Sequence, residues 1–264
     1  MPAPDAPTLS VIVPILDEAA HLPRLVGHLR ERLPGAELVV VDGHSSDGSW
    51  ELLEGLAVDQ RLQAGPGRGL QLDAGARAAR GEVLLFLHAD ARLPPGAREE
   101  LLRVLSRPGV VAGAFRTWHR AEGEASRLME RLLHLADLRS RYTTLPYGDQ
   151  GLFLRREVYE AVGGFPHQPL MEDLELSLRL RRRGGIGRAR ARVEVSGRRF
   201  QEGPIRYTLM VNLFPLLYRA GVSPERLARL YRDVRGRPAP RSGRGPSRRG
   251  SSARPCGGSP RRRP

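Results

Sequence analysis

Carboxylates gather at three places where an apolar run gives way to a turn: Ile15–Glu18, Asp42–Asp47 and His88–Asp90. In the second, Asp42-Gly43-His44-Ser45-Ser46-Asp47-Gly48-Ser49, Ser46 or Asp47 can cap a following helix, and Asp, Ser and Gly are ordinary turn formers. Asp42 itself ends a buried strand and needs a partner. A carboxylate there can accept from a nucleobase N–H or from ribose hydroxyls. His88-Ala89-Asp90 follows the apolar run Leu84-Leu85-Phe86-Leu87. In an extended segment residues i and i+2 share a side, so both can approach one divalent ion and its phosphates. Arg68, in Gly65-Pro66-Gly67-Arg68-Gly69, enters a helix where it can meet a phosphate. Glu172-Asp173 opens a helix beside Glu175, where acids also favour the helix dipole. Tyr147-Gly148-Asp149-Gln150 is a polar loop, and Ser196-Gly197-Arg198-Arg199 ends a strand with two cations.

The elements that position these groups follow from periodicity. Leu9–Pro14, Glu37–Val41 and Glu82–Leu87 are short apolar runs of the kind buried on both faces of a sheet, with Arg61–Ala64 as a further short strand. Helical spacing separates them in Glu18–Leu33, Ser46–Leu56 and Gly69–Ala79. This alternation implies right-handed βαβ units and a parallel sheet, and ligands of such sheets bind outside the carboxyl ends of the strands. All three acidic loops fall at that end. Further along, helices are expected over Pro94–Leu105, Ser126–Arg139, Arg156–Val162, Met171–Arg183, Pro204–Ala220 and Pro224–Val234. Strands are expected over Val110–Trp118, Leu152–Arg155 and Arg190–Val195.

Several chemistries are disfavoured. No G-x-G-x-x-G follows the first strand, the Gly65–Gly69 turn lacks the Lys-Ser/Thr of a P-loop, and Ser45 is not in a G-x-S-x-G elbow. A single Cys excludes a disulfide framework and a Cys-based zinc site. The 264 residues carry 43 basic and 29 acidic side chains, a net charge of +14, and every base is Arg. Nine of these Arg lie in residues 236–264, with six Gly, six Pro, five Ser and no acid. That composition is expected to be disordered, so much of the charge belongs to a tail rather than to a nucleic-acid-binding surface. No run reaches the roughly 18 to 20 apolar residues of a bilayer span, and the first residues do not read as a signal peptide. A cytoplasmic protein is expected; the apolar stretch at residues 204–220, interrupted by Arg206, Asn212 and Pro215, reads first as a buried helix or helix hairpin and second as a peripheral contact at the inner face of the cell membrane.

Taken together, SVIVPILDE, VVVDGHSSDGS, GRGLQLDAGARAARGEVLLFLHAD, GDQGLFLRREVYEAVGGF and EDLELSLRLRRRG resemble, in this order over about residues 8 to 185, a family 2 glycosyltransferase of the GT-A fold. His88-Ala89-Asp90, PYGDQ, PLMEDLELS and GVSPERLARLYR resemble a bacterial subgroup labelled arsenosugar-biosynthesis or carotenoid-type (diaponeurosporenoate-like) glycosyltransferase. The resemblance implies an α/β fold with a Rossmann-like, mostly parallel sheet flanked by helices. Its domain would span residues 1–235, with a nucleotide half to about residue 92, an acceptor half to about 200 and C-terminal helices from about 203.

The resemblance also implies roles. Pro14, Ile15 and Glu18 would line the nucleoside pocket, Asp42 would read the base and Arg68 would sit near base or phosphates. Asp90 with His88 would hold Mn2+ or Mg2+ on the diphosphate of a nucleotide sugar, a UDP-sugar first. His88 stands where the family's DXD motif has its first Asp. Asp173 would be the general base, with Glu172, Gly148, Asp149 and Gln150 on the side of a small-molecule or lipid acceptor. Arg198 and Arg199 would close over the diphosphate, in place of an absent Q-x-x-R-W. Asp73 stands where Asn is frequent and is expected to orient its neighbourhood. Two other classes compete: a sugar nucleotidyltransferase, and a non-catalytic RNA- or membrane-binding protein using the Arg tail.

Overall fold

The computed structural model describes residues 7–65, 67–120, 145–197 and 204–235. The chain begins with β1 (Leu9–Ile15), α1 (Leu22–Arg32), β2 (Glu37–Asp42) and a single turn α2 (Ser49–Leu52) that continues as a 3-10 turn. β3 (Gln60–Gln63), α3 (Arg68–Ala78) and β4 (Val83–Phe86) follow. The next elements are β5 (Ala91–Arg92), α4 (Ala97–Leu105) and β6 (Val110–Arg120), then β7 (Leu152–Arg155) and α5 (Arg156–Ala161). The last are α6 (Glu172–Arg183), β8 (Gly185–Ser196), α7 (Pro204–Arg219) and α8 (Pro224–Arg235). The expected helix at Ser126–Arg139, Arg198, Arg199 and the Arg-rich tail lie outside the described residues.

One sheet of eight strands runs β3-β2-β1-β4-β7-β6-β8-β5. β1 pairs in parallel with β2 and with β4, and β2 with β3. Because the order reverses at β1 and β4, their carboxyl ends open the crevice expected of a doubly wound sheet. Beyond β4 the pairing changes: β7 is antiparallel to β4 and β6, β8 is parallel to β6, and β5 is antiparallel to β8.

Both faces of the sheet are covered, which explains the unbroken apolar runs. Val11, Val13 and Ile15 pack with Leu22, Leu25, Leu38, Val40 and Leu101 on one side. Their neighbour Ile12 packs with Val39, Val41, Leu72 and Ala76 on the other. α3 comes close enough that a β-carbon on Gly75 would lie 2.5 Å from Ile12 Cγ2, so only glycine fits there. Arg156, at the start of α5, donates to the carbonyls of Ala76, Ala79 and Gly81, tying the second half of the chain to the end of α3. A third cluster joins Met210 and Phe214 of α7 and Leu227 of α8 to Leu170 and Met171.

Two expectations need correction, and one strand is unforeseen. The helix expected over Ser46–Leu56 is reduced to Ser49–Leu52 and a 3-10 turn, because Ser46 and Asp47 bond across to the loop after β1. The strand expected over Arg190–Val195 runs from Gly185 to Ser196, since β6 offers it a partner along most of that length. β5 has too few residues to leave a periodic signal.

Candidate active site

Side chains tie together the carboxyl ends of β1 and β2. Gln71 of α3, buried, donates from Nε2 to Ile15 O at 2.8 Å and to Val41 O at 3.0 Å, while Gly43 N donates to Ile15 O at 2.9 Å. Asp17 and His44 take left-handed backbone, φ 54° and 65°. Asp17 accepts from Ser46 N at 2.8 Å, and its own N–H donates to Ser45 Oγ at 2.9 Å. Glu18 N donates to Ser49 Oγ at 3.0 Å and Ala19 N to Asp47 Oδ2 at 2.9 Å. The Ser49 hydroxyl, joined by backbone N–H groups, holds the Asp47 carboxyl below its ordinary value. Pro14 and Glu18 are half-buried beside a buried Ile15.

Asp42 is wholly buried at the end of β2. Its carboxylate accepts from Ser45 N, from Ser45 Oγ and from Gln63 Nε2 at 3.1 Å. Ser45 N lies within hydrogen-bond distance of both carboxylate oxygens, so about four acceptor directions are taken up within the protein.

After β4 the chain turns rather than extends. Ala91 N donates to His88 O at 3.1 Å, and β5 then pairs with Glu194 and Val195 of β8. The reasoning that places His88 and Asp90 on one side of an extended segment therefore fails, because the chain must reverse to reach β8. What His88 meets instead is Gly148: a β-carbon built there would lie 2.7 Å from His88 Nε2 and 3.0 Å from Asp173 Oδ2. Only a glycine lets the imidazole and the carboxylate approach the same peptide. Among the described residues no three His, Cys, Asp or Glu side chains are grouped as a metal site. Asp90 and His88 offer one oxygen and one nitrogen ligand, a set that fits Mn2+ or Mg2+ when diphosphate oxygens and water complete the shell.

Asp173 stands in the first turn of α6, where its Oδ2 accepts from Gly148 N and its Oδ1 from Leu174 N at 2.8 Å. The helix begins at Met171, whose left-handed backbone (φ 65°) is uncommon without glycine. Its neighbour Glu172 is buried, 3.7 Å from Arg68 Nη1. Burial and then the adjacent Asp173 push the Glu172 carboxyl up to about 7, with Arg68 opposing them. Gly148–Gln150 forms one 3-10 turn with Gln150 buried, and Asp149 Oδ2 lies 3.8 Å from His119 Nε2. The structure thus brings His88, Gly148 and Asp173 together, and Arg68 with Glu172. Asp42 is held in its own network with Ser45 and Gln63.

A buried acid outside the expected site set organises the approach to α6. Asp73 accepts from Tyr159 OH at 2.8 Å, Arg77 Nε at 2.9 Å and His167 Nε2 at 3.0 Å. Burial raises its carboxyl, but the bonds from His167, Arg77 and Tyr159 outweigh it and leave the group below its ordinary value. Burial drives the Tyr159 phenol far upward, so it stays a donor. Tyr159 OH also accepts from Phe165 N at 3.0 Å, fixing the segment that leads to Met171. Gln71 and Tyr159 escape sequence reading.

Comparison with known proteins places this architecture. Mannosyltransferase PcManGT from Pyrobaculum calidifontis, solved with GDP-Man and Mn2+, superposes with a TM-score of 0.63 at 22% identity, covering 86% of this chain and 68% of that one. S. aureus TarS with UDP-GlcNAc superposes with a TM-score of 0.56 at 19% identity, covering 72% and 58%. At these identities the likeness establishes the fold, which is GT-A. An undecaprenyl-phosphate 4-deoxy-4-formamido-L-arabinose transferase of Pseudomonas paraeruginosa is 32% identical over 171 residues, 58% of this chain and 49% of the relative. The chain therefore spans about half the length of that relative. Residues 10–163 match the Glycosyl transferase family 2 description. That match takes in β1, β4, the acidic loops and the Gly148 turn, more than half of the sequence, and the chain belongs to glycosyl transferase family 2.

Proposed function

We propose that the protein transfers a sugar from a nucleoside diphosphate donor, a UDP-sugar first, to an acceptor hydroxyl with inversion at the sugar carbon. The observation that carries this reading is the meeting of Asp173 and His88 on Gly148, at the strand end that also bears Asp90. Asp42 takes the base or ribose, and Arg68 stands near the phosphates. Arg198 and Arg199 are assigned to the diphosphate on the family resemblance alone. Asp173 accepts the acceptor's proton as the new C–O bond forms and the bond to the diphosphate breaks on the opposite face. Glu172, Gly148, Asp149 and Gln150 shape the acceptor side. A divalent cation, Mn2+ or Mg2+, held by Asp90 with His88 would neutralise charge on the departing diphosphate.

The relative named for undecaprenyl-phosphate supports a lipid acceptor, and with it work at a membrane; the inner face is the side assigned by the sequence reading. A small-molecule acceptor and the arsenosugar or carotenoid-type subgroup remain the narrower assignments carried by the sequence motifs. Family membership argues against the nucleotidyltransferase. Product analysis separates the two, since that enzyme releases pyrophosphate and this one a nucleoside diphosphate.

Titration calorimetry with UDP and Mn2+ tests the donor side, and absence of binding overturns it. Asp173→Asn should keep UDP binding and lose turnover. Full turnover in that variant overturns the base assignment and points to an acceptor already ionised, such as a lipid phosphate.

A further inference from the structure

The apolar stretch at residues 204–220 takes no part in the site above. One face of α7 is committed to the fold: Met210 and Phe214 are buried, and Leu217 and Tyr218 pack beside them with Leu170, Met171 and Leu227. The opposite face carries Leu209, Leu213 and Leu216, 62%, 48% and 62% exposed. Spacings of i, i+4 and i+7 put them in one line along the helix. Single exposed leucines are normal on a protein surface, but a row of three on one helix marks an interaction site.

The surrounding charge identifies the partner. α7 has no acid in its sequence, and Arg219 at its end is exposed. On α8, Arg226 and Arg229 are exposed, as is Leu230, and the helix has two acids in its sequence, Glu225 and Asp233. The 29 residues that follow α8 add nine Arg and no acid. Leucines in line, flanked by guanidinium groups, match the boundary of a bilayer that contains anionic lipid. The apolar row enters the acyl edge while arginines meet phosphates. A second copy of the chain would cover the leucines but would bring like charges together. No helix among the described residues is long and apolar enough to cross a membrane, so the contact lies in the membrane plane. A groove of about 460 Å³ beside this helix, lined by Leu178, Tyr218, Arg219 and Val222, offers a cation next to apolar walls for one headgroup.

We propose that the outward face of α7, with Arg219 and the arginines of α8, docks the protein on an anionic membrane surface. The inward face of the same helix packs on Met171, where α6 begins, and Tyr218 OH donates to Glu175 at 2.8 Å. Docking therefore fixes the helix that bears Asp173 relative to the lipid. It deepens the lipid-acceptor reading but does not depend on it, since adsorption needs neither donor nor acceptor.

The experiment is flotation of the full chain with vesicles of phosphatidylcholine alone and of phosphatidylcholine with about one third phosphatidylglycerol. The wild type should float with the anionic vesicles. Leu213→Glu/Leu216→Glu should weaken that partition at least about tenfold, and Leu213→Ala/Leu216→Ala by a smaller factor in the same direction. Both leucines are solvent-facing, so thermal unfolding should be unchanged, as should calorimetric UDP binding. Failure of the wild type to float overturns the proposal. So does equal flotation of the Glu variant, which would assign adsorption to arginines alone. A wild-type dimer without vesicles that the Glu variant converts to monomer would also overturn it, in favour of a second copy. Loss of UDP binding by the wild type, with flotation intact, would count against the transferase reading and leave docking standing.

Discussion

The two acidic regions of the crevice are built on opposite plans. Around the ends of β1 and β2, Asp17, Asp42 and Asp47 each accept hydrogen bonds from Ser or Gln side chains or from backbone N–H groups, and Gln71 fastens the strands beneath them. At the start of α6, Glu172 is buried against a like charge, with a single guanidinium at 3.7 Å as its counterweight. Carboxylates of the first kind are held by donors from several directions and give shape. Glu172, of the second kind, has its carboxyl pushed up to about 7. The contrast suits a site in which one end receives a rigid nucleotide and the other conducts proton transfer.

The sharpest break of this contrast is Asp173→Asn. It should lower kcat by about 10²- to 10⁴-fold while UDP binding persists, measured by nucleoside diphosphate release and calorimetry. Next is Asp73→Ala, which removes the shared acceptor of Tyr159, Arg77 and His167. It should destabilise the fold by about 3 kcal/mol in urea unfolding. If instead it affects only turnover, the acid belongs to the responsive end rather than to the frame. Gln71→Ala should cost about 2 kcal/mol and weaken UDP binding more than kcat. A pure kcat effect would erase the distinction between the two ends. The last break is a pH dependence, spread over more than two pH units and so shallow at any one of them. Because the folded Glu172 holds its proton to about 7, above its ordinary 4.5, the native state binds more protons than the unfolded chain between those values. Stability should therefore fall as pH rises through that window and level off above it. Glu172→Gln should flatten the profile, read from unfolding midpoints across the same range.

The nucleotide half was largely legible because burial on both faces writes itself as apolar runs, and the sheet rule then assigns the acidic loops to one end. The second half is less so. β8 alternates Arg with small residues over Arg188–Arg192, which hides a long strand, and β5 is too short to signal itself. Of the site, Asp173 and Gly148 belong to separate motifs 25 residues apart, and nothing local announces that they share a hydrogen bond. His88 stands out by its spacing to Asp90, yet the structure sets it against Gly148, a tertiary contact. In the sequence Asp73 is marked only by standing where Asn is frequent, with a local orienting role expected. Only its packing against Tyr159 and His167 makes it a hub.

Gln71 has a consequence for exchange with solvent. Loops at the end of a sheet are ordinarily the first to fray, and their amides exchange hydrogen within the fastest class. Here one side-chain amide continues the ladder past the last residues of β1 and β2, and Gly43 N–H bonds directly to Ile15 O beneath it. Opening that amide means releasing α3 from both strands, so the Gly43 proton should be retained about as long as those of the sheet interior. The mouth of the crevice should thereby exchange with the slow class of amides, which hydrogen exchange would check.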